Sequence, residues 1–185
     1  ELSVVLFAQS RALSADGSFP FDERANGFIS SDGLGFFLLM RLEDAIASKA
    51  RIRAVLRAVG GSCDGKGKAL WAPRKEGQVL AMRRAYEGSG LDPRTIGLLE
   101  AHATSTPIGD ATEIGALEEV FGAARKQLGR PLPIGSVKGN IGHTRETAGA
   151  AAMIKAIMAL ESGTLPPTGS FKTPSKSIPW NDVSS

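Results

Sequence analysis

The sequence predicts an α/β layered fold, and three observations carry that prediction. Apolar runs of strand length alternate along the 185 residues with segments whose apolar positions recur at helical spacing. Each of the two histidines, His102 and His143, stands in a loop of small residues directly after a strand candidate. Clusters of glycine, proline and aspartate fall between these segments, where turns belong.

Taken in order, residues 2–13 carry a mixed apolar pattern (Leu2, Val5, Leu6, Ala8, Leu13) that suits a short helix or turn structure. Asp16-Gly17 and Pro20 make the following stretch a loop. Leu34-Gly-Phe-Phe-Leu-Leu-Met is a continuous apolar run and reads as a buried strand. A short helix is expected over 41–50, and the alternation in Ile52 to Val59 suggests the next strand.

Four glycines make residues 60–68 a loop, in which Lys66 and Lys68 are candidates for steering an anion against the plainer reading of a solvated loop. Val79, Leu80, Met82, Ala85 and Tyr86 give Glu76 to Glu87 helical spacing, closed by Gly88-Ser-Gly. Ile96 to His102 is the third strand candidate. After a loop of small and hydroxyl residues, Asp110 and Glu113 form a capping-box-like pattern ahead of Ile114, Leu117 and Val120. Leu132 to Val137 is a short strand. Thr144 is the candidate N-cap of a helix from Arg145 to Glu161 that ends at Gly163. Pro166-Pro-Thr and the tail from Phe171 are expected to be extended.

With 42% hydrophobic and 22% charged residues the composition is that of a soluble globular protein. The net charge of +3 is scattered, with no basic stripe interleaved with aromatics, which argues against nucleic acid. The single cysteine, Cys63, excludes an intrachain disulfide and a Cys-rich zinc site, and fits a reducing, cytoplasmic setting. The opening residues lack the basic region and cleavage site of a signal peptide. Ala148 to Leu160 is apolar but carries Lys155 and is too short to span a bilayer, so no membrane association is expected. Because the chain starts inside an apolar run and stops at Asp182-Val-Ser-Ser, it is expected to be part of a longer domain.

The chemistry concentrates in Gly135-Ser-Val-Lys-Gly-Asn-Ile-Gly-His-Thr and in the loop after His102, 41 positions earlier. Loops at one edge of an α/β sheet converge, which would gather two imidazoles and Lys138 around one cleft. The plain alternative is a strand-to-helix loop with one structural histidine. A phosphate-binding P-loop fails because Gly139, not Ser or Thr, follows Lys138. A zinc hydrolase needs three ligands, and the two histidines lack helix-face spacing, so no metal is expected. Acyl chemistry through a Ser–His pair stays open, although no Gly-x-Ser-x-Gly elbow is present. Cys63 lies in a flexible loop without a following helix start to activate it.

Glu100-Ala-His-Ala-Thr-Ser-Thr-Pro-Ile-Gly-Asp and Gly135-Ser-Val-Lys-Gly-Asn-Ile-Gly-His-Thr, followed by Ala148-Gly and the apolar helix, resemble the two histidine motifs of β-ketoacyl synthases. Phe21-Asp, Gly27-Phe-Ile-Ser-Ser-Asp-Gly-Leu-Gly, Arg41-Leu-Glu-Asp-Ala and Leu165-Pro-Pro-Thr resemble further family segments in the right order. The Ser62 to Pro73 loop is similar to that of iterative type I enzymes of polyunsaturated fatty acid and enediyne synthesis.

The resemblance implies a thiolase-like fold, αβαβα layered, with residues 1–185 supplying mainly its C-terminal half, without the upstream cysteine-bearing half and the last strands. It implies decarboxylative Claisen condensation of an acyl thioester with a malonyl thioester on acyl carrier protein, the 4'-phosphopantetheine arm being the carrier's rather than a bound cofactor. His102 and His143 would hydrogen-bond the thioester oxygen, an oxyanion-type stabilisation of roughly 2.7–4 kcal/mol per donor. Lys138 would act electrostatically, Thr104 and Thr106 would hold the pantetheine arm, and Asn140 would brace the loop at the substrate side. A homodimer of the full domain is implied. The family's His-Gly-Thr-Gly-Thr reads His102-Ala103-Thr104-Ser105-Thr106 here, which puts a methyl group where glycine would let substrate approach. The rival readings are a non-condensing, chain-length-factor type of partner and a thiolase; retention of both histidines and Lys138 argues against the first, and the Lys138 motif against the second.

Overall fold

A computed structural model describes residues 2–66 and 72–180. Its elements are α1 (Leu2–Gln9), α2 (Leu42–Ala47), α3 (Lys75–Glu87), β1 (Leu99–Glu100), α4 (Pro107–Leu128), β2 (Ile134–Gly135), α5 (Lys138–Ile141) and α6 (Ala148–Ser162), with single 3₁₀ turns at Pro93–Thr95 and Arg145–Thr147.

The organising element is α4. Pro107 stands at its first position, where a missing N–H costs nothing and the fixed φ suits a helix. Gly129 closes it in the left-handed conformation at φ 69°, donating back to the Arg125 and Lys126 carbonyls. Ile114, Leu117 and Phe121 recur at helical spacing on one face and are at most 2% exposed. They form the core with Phe21, Ala101, Ala103, Leu132 and Ile178. Helix α3 packs on the same helix, with the Tyr86 and Phe121 rings edge to face at 5.4 Å.

Strands β1 and β2 pair in parallel, Leu99 opposite Ile134 and Glu100 opposite Gly135, with α4 as the crossover between them. Flanking bonds from Leu99 N–H to the Pro133 carbonyl and from Ala101 N–H to the Gly135 carbonyl lengthen the ladder slightly. This βαβ unit is what positions the site, because His102 follows β1 and Lys138 follows β2.

Several expectations need correction. Residues 34–40 and 52–59 are not strands but irregular chain without ladder partners, and Phe36, Leu38 and Val59 are 83%, 91% and 80% exposed. Their apolar runs have the composition of buried strands. A strand exists only as one member of a paired sheet, and no described residue offers these segments an edge. The strand expected over 96–102 shrinks to two residues, and so does that over 132–137. Asp110 does not cap α4: Thr106 holds the N-cap position and Asp110 lies in the first turn. Nor does Thr144 start α6, since the 3₁₀ turn intervenes and the helix begins at Ala148, ending as expected at Gly163, φ 64°. Lys138 is the first residue of the short helix α5. Lys66 is exposed, and Lys68 and the last residues, 181–185, lie outside the described residues.

Candidate active site

The loop after β1 is held from α4. The Glu113 carboxylate accepts from the backbone N–H of His102 and of Ala103, at 2.8 Å each. Asp110, one turn earlier on the same helix, accepts from Phe21 N–H at 2.8 Å. Ala103 and Ser105 have φ 28° and 61°, conformations that side-chain-bearing residues rarely adopt and that these contacts hold in place. Ser105 Oγ accepts from Phe19 N–H, and Ser105 is fully buried. Ala103 is 1% exposed and belongs to the core, so its methyl group is spent on packing, and the cost of replacing glycine there lies in the backbone.

His143 is fixed by a different set of contacts. Its N–H donates to the Ile29 carbonyl at 2.8 Å, its own carbonyl accepts from Ser31 N–H at 3.0 Å, and the Phe28 ring lies 4.9 Å from the imidazole. Arg145, at φ 55°, turns its backbone N–H onto His143 Nδ1 at 3.0 Å. An accepting Nδ1 carries no proton, so the neutral ring carries its proton on Nε2.

The two imidazoles stand with ring centroids 5.5 Å apart and planes at 85°. Lys138 is buried, at 3% exposure. His102 is exposed by its accessible surface, and its pKa is lowered to about 4, first by desolvation and then by the charges of Lys138 and His143. Desolvation and Lys138 lower His143 likewise, against an opposing pull from Glu146. Both rings are therefore neutral at pH 7. Lys138 is itself lowered by desolvation, opposed by Glu113, Glu100 and Asp110. Burial raises Asp110 to about 7, and Glu113 is also raised by burial.

A cavity of about 580 Å³ opens beside His102 between α3 and α4, lined among others by Thr104, Thr106, Gly109, Glu113 and Met82. The Thr104 and Thr106 hydroxyls bond each other at 3.1 Å. Gly109 gives Thr106 its room, because a Cβ there would overlap the Thr106 hydroxyl.

His102, His143 and Lys138 are thus brought together, and Thr104 and Thr106 join His102 at the cavity. Asn140 does not: it is exposed, absent from the lining, and its Oδ1 accepts from Gly169 N–H at 3.4 Å, which ties α5 to the loop at 169. Cys63 is exposed and outside the cavity lining. Sequence reasoning missed Glu113, read there only as a capping partner. The signal was available in the Asp110/Glu113 spacing, which puts both carboxylates on one helix face toward the preceding loop. Among the described residues no helix is long and apolar enough to cross a membrane.

Residues 53–172 match the family model described as β-ketoacyl synthase, C-terminal domain, and residues 1–45 match β-ketoacyl synthase, N-terminal domain. The chain is 42% identical over 171 residues to the highly reducing polyketide synthase azaB of Aspergillus niger, covering 92% of this chain and 7% of that protein. It is 41% identical over 173 residues to 6-methylsalicylic acid synthase of Aspergillus terreus, covering 93% of this chain and 10% of that one. The chain therefore spans about a tenth or less of the length of these curated relatives. Among solved structures, the oxazolomycin ketosynthase domain OzmH KS7 of Streptomyces albus superposes with TM-score 0.90 at 34% identity, over 96% of this chain and 31% of that one. The ishigamide ketosynthase/chain length factor superposes with TM-score 0.87 at 32% identity, over 99% and 43%. The fold class is the thiolase-like α/β class of these ketosynthases.

Proposed function

This chain belongs to the β-ketoacyl synthase family, and from that membership we propose that it forms the histidine-bearing part of a ketosynthase domain in a polyketide synthase. The observation that carries the reading is the pair of neutral imidazoles, 5.5 Å apart at right angles, beside a buried lysine. Two neutral imidazole donors this close together suit an oxygen that gains negative charge during reaction, and preorganised donors contribute about 2.7–4 kcal/mol each.

In the proposed reaction the substrate is a malonyl thioester borne on the phosphopantetheine arm of acyl carrier protein. The bond to the carboxylate breaks, carbon dioxide leaves, and the electron pair moves to the thioester oxygen, where His102 and His143 Nε2 donate hydrogen bonds. The enolate carbon then attacks an acyl thioester carbonyl, forming the new carbon–carbon bond as the thiolate leaves. The acyl group is carried by a cysteine elsewhere in the parent protein, since Cys63 is exposed and outside the cavity. Desolvation first, and the charge of Lys138 second, keep both imidazoles in the neutral donor form. Thr104 and Thr106 offer hydroxyls to the pantetheine amides. The parent works as a homodimer, as the family resemblance implies.

The test is to supply the full-length parent with acyl and malonyl thioesters. The reading expects stable acyl label on the protein and carbon dioxide release from malonyl carrier protein. Absence of acyl label with the fold intact would favour the non-condensing partner instead, a reading that the ketosynthase/chain length factor neighbour keeps in view.

A further inference from the structure

Glu100 lies on β1 two residues before His102, and its side chain is 7% exposed. One carboxylate oxygen, Oε1, accepts from Val137 N–H at 2.5 Å, and the other, Oε2, stands 2.7 Å from Lys155 Nζ. Lys155 comes from α6, and its side chain is 10% exposed. Apart from each other, Oε2 and Nζ have no polar partner among the described residues. Gly135 leaves the space for the ammonium group, since a Cβ there would stand 3.0 Å from Nζ.

Val137 is the N-cap position of α5 and immediately precedes Lys138. A single carboxylate therefore joins the strand that delivers His102, the start of the helix that carries Lys138, and the helix that follows His143. A buried ion pair gives little net stability, because desolvating two charges offsets their attraction. What this one supplies is a fixed acceptor for the Val137 N–H. We infer that Glu100, neutralised by Lys155, is the positioning residue that sets Lys138 against His102, an inference that rests on the condensing reading above. Lys155 keeps the carboxylate in place, and Glu100 holds the turn.

Two double variants of the full-length parent separate positioning from burial of charge. Glu100→Gln with Lys155→Met keeps an acceptor oxygen for Val137, whereas Glu100→Met with Lys155→Met removes it, and neither leaves a charge buried alone. Malonyl decarboxylation should stay within about threefold of wild type in the first and lose about tenfold in kcat at unchanged KM in the second, as expected when a reacting group is misplaced without loss of binding. Equal kcat in the two would overturn the inference. The second measurement is amide hydrogen exchange in Lys155→Met, which needs neither turnover nor the double variants. Peptides spanning 136–142 should exchange about tenfold faster while those of α3 and α4 hold. No change at 136–142, or acceleration spread equally over α3 and α4, would also overturn it. A wild-type parent that released no carbon dioxide would instead sink the condensing reading, with the exchange result still deciding whether Glu100 holds the turn.

Discussion

Arg145 donates its backbone N–H to His143 Nδ1 at 3.0 Å, and that bond decides that Nε2 is the imidazole nitrogen carrying the proton. In the proposed reaction the donor to the reacting oxygen is this Nε2–H, at the far end of the ring.

His143→Gln places an amide N–H near the position of Nε2, whereas His143→Asn places one nearer Nδ1. In the full-length parent, Gln should retain more malonyl decarboxylation than Asn, by about tenfold, a part of the 2.7–4 kcal/mol such a donor supplies. Initial rates of carbon dioxide release check this. Equal rates would mean that the tautomer is immaterial.

Two groups in this region give opposing contributions to stability against pH. His102 has a folded pKa of about 4 against an ordinary 6.5, so the unfolded chain binds the extra proton and stability falls as pH drops from about 6.5 toward 4. Asp110 has a folded pKa of about 7 against an ordinary 3.8, so the folded protein holds the extra proton and stability falls as pH rises from about 3.8 to 7. Asp110→Asn keeps an acceptor for Phe21 N–H and removes the second dependence. Its thermal midpoint should exceed wild type at pH 8 and match it near pH 4. A variant less stable than wild type at pH 8 would contradict the burial argument.

Gly109→Ala tests the threonine pair. The added methyl would overlap the Thr106 hydroxyl and drive it from its 3.1 Å contact with Thr104. The variant should raise KM for the carrier-borne thioester by about tenfold, the loss of one hydrogen bond of about 1 kcal/mol together with local displacement, and change kcat less. Steady-state kinetics with malonyl carrier protein decide it.

Ala103→Gly removes a buried methyl group, which alone would cost about 1 kcal/mol. It also frees a backbone held at φ 28°, worth on the order of 1–3 kcal/mol. Glycine's extra backbone entropy costs about 0.5–1 kcal/mol more, and with all three effects the expected net change in urea unfolding is within about 1.5 kcal/mol of zero. A destabilisation of about 2 kcal/mol, the methyl and glycine contributions unopposed, would show that the φ carries no cost.

The histidine loops were legible in the sequence because their chemistry is local: small residues, a preceding apolar strand and a following helix all sit within a few positions. Helix α3 was legible for the same reason, through Val79, Met82 and Tyr86 at helical spacing. Residues 34–40 misled because an apolar run reports a tendency to be buried, while a strand depends on a partner far along the chain. Asp110 and Glu113 were seen but given the wrong task. Pro107 moved the helix start back, and their carboxylates became free to hold Phe21, His102 and Ala103. The Glu100–Lys155 pair spans three elements, and no spacing rule exposes such a contact.

In the proposed reaction His102 and His143 together stabilise the enolate left by decarboxylation. The most direct measurement is the single-turnover rate of carbon dioxide release from malonyl carrier protein by the full-length parent, compared for wild type, His102→Ala and His143→Ala, with acyl loading measured in parallel. Each substitution should slow release by about 10²–10³-fold, the effect of removing one preorganised donor, and leave acyl loading nearly intact. Release at the wild-type rate in either variant would contradict that shared role.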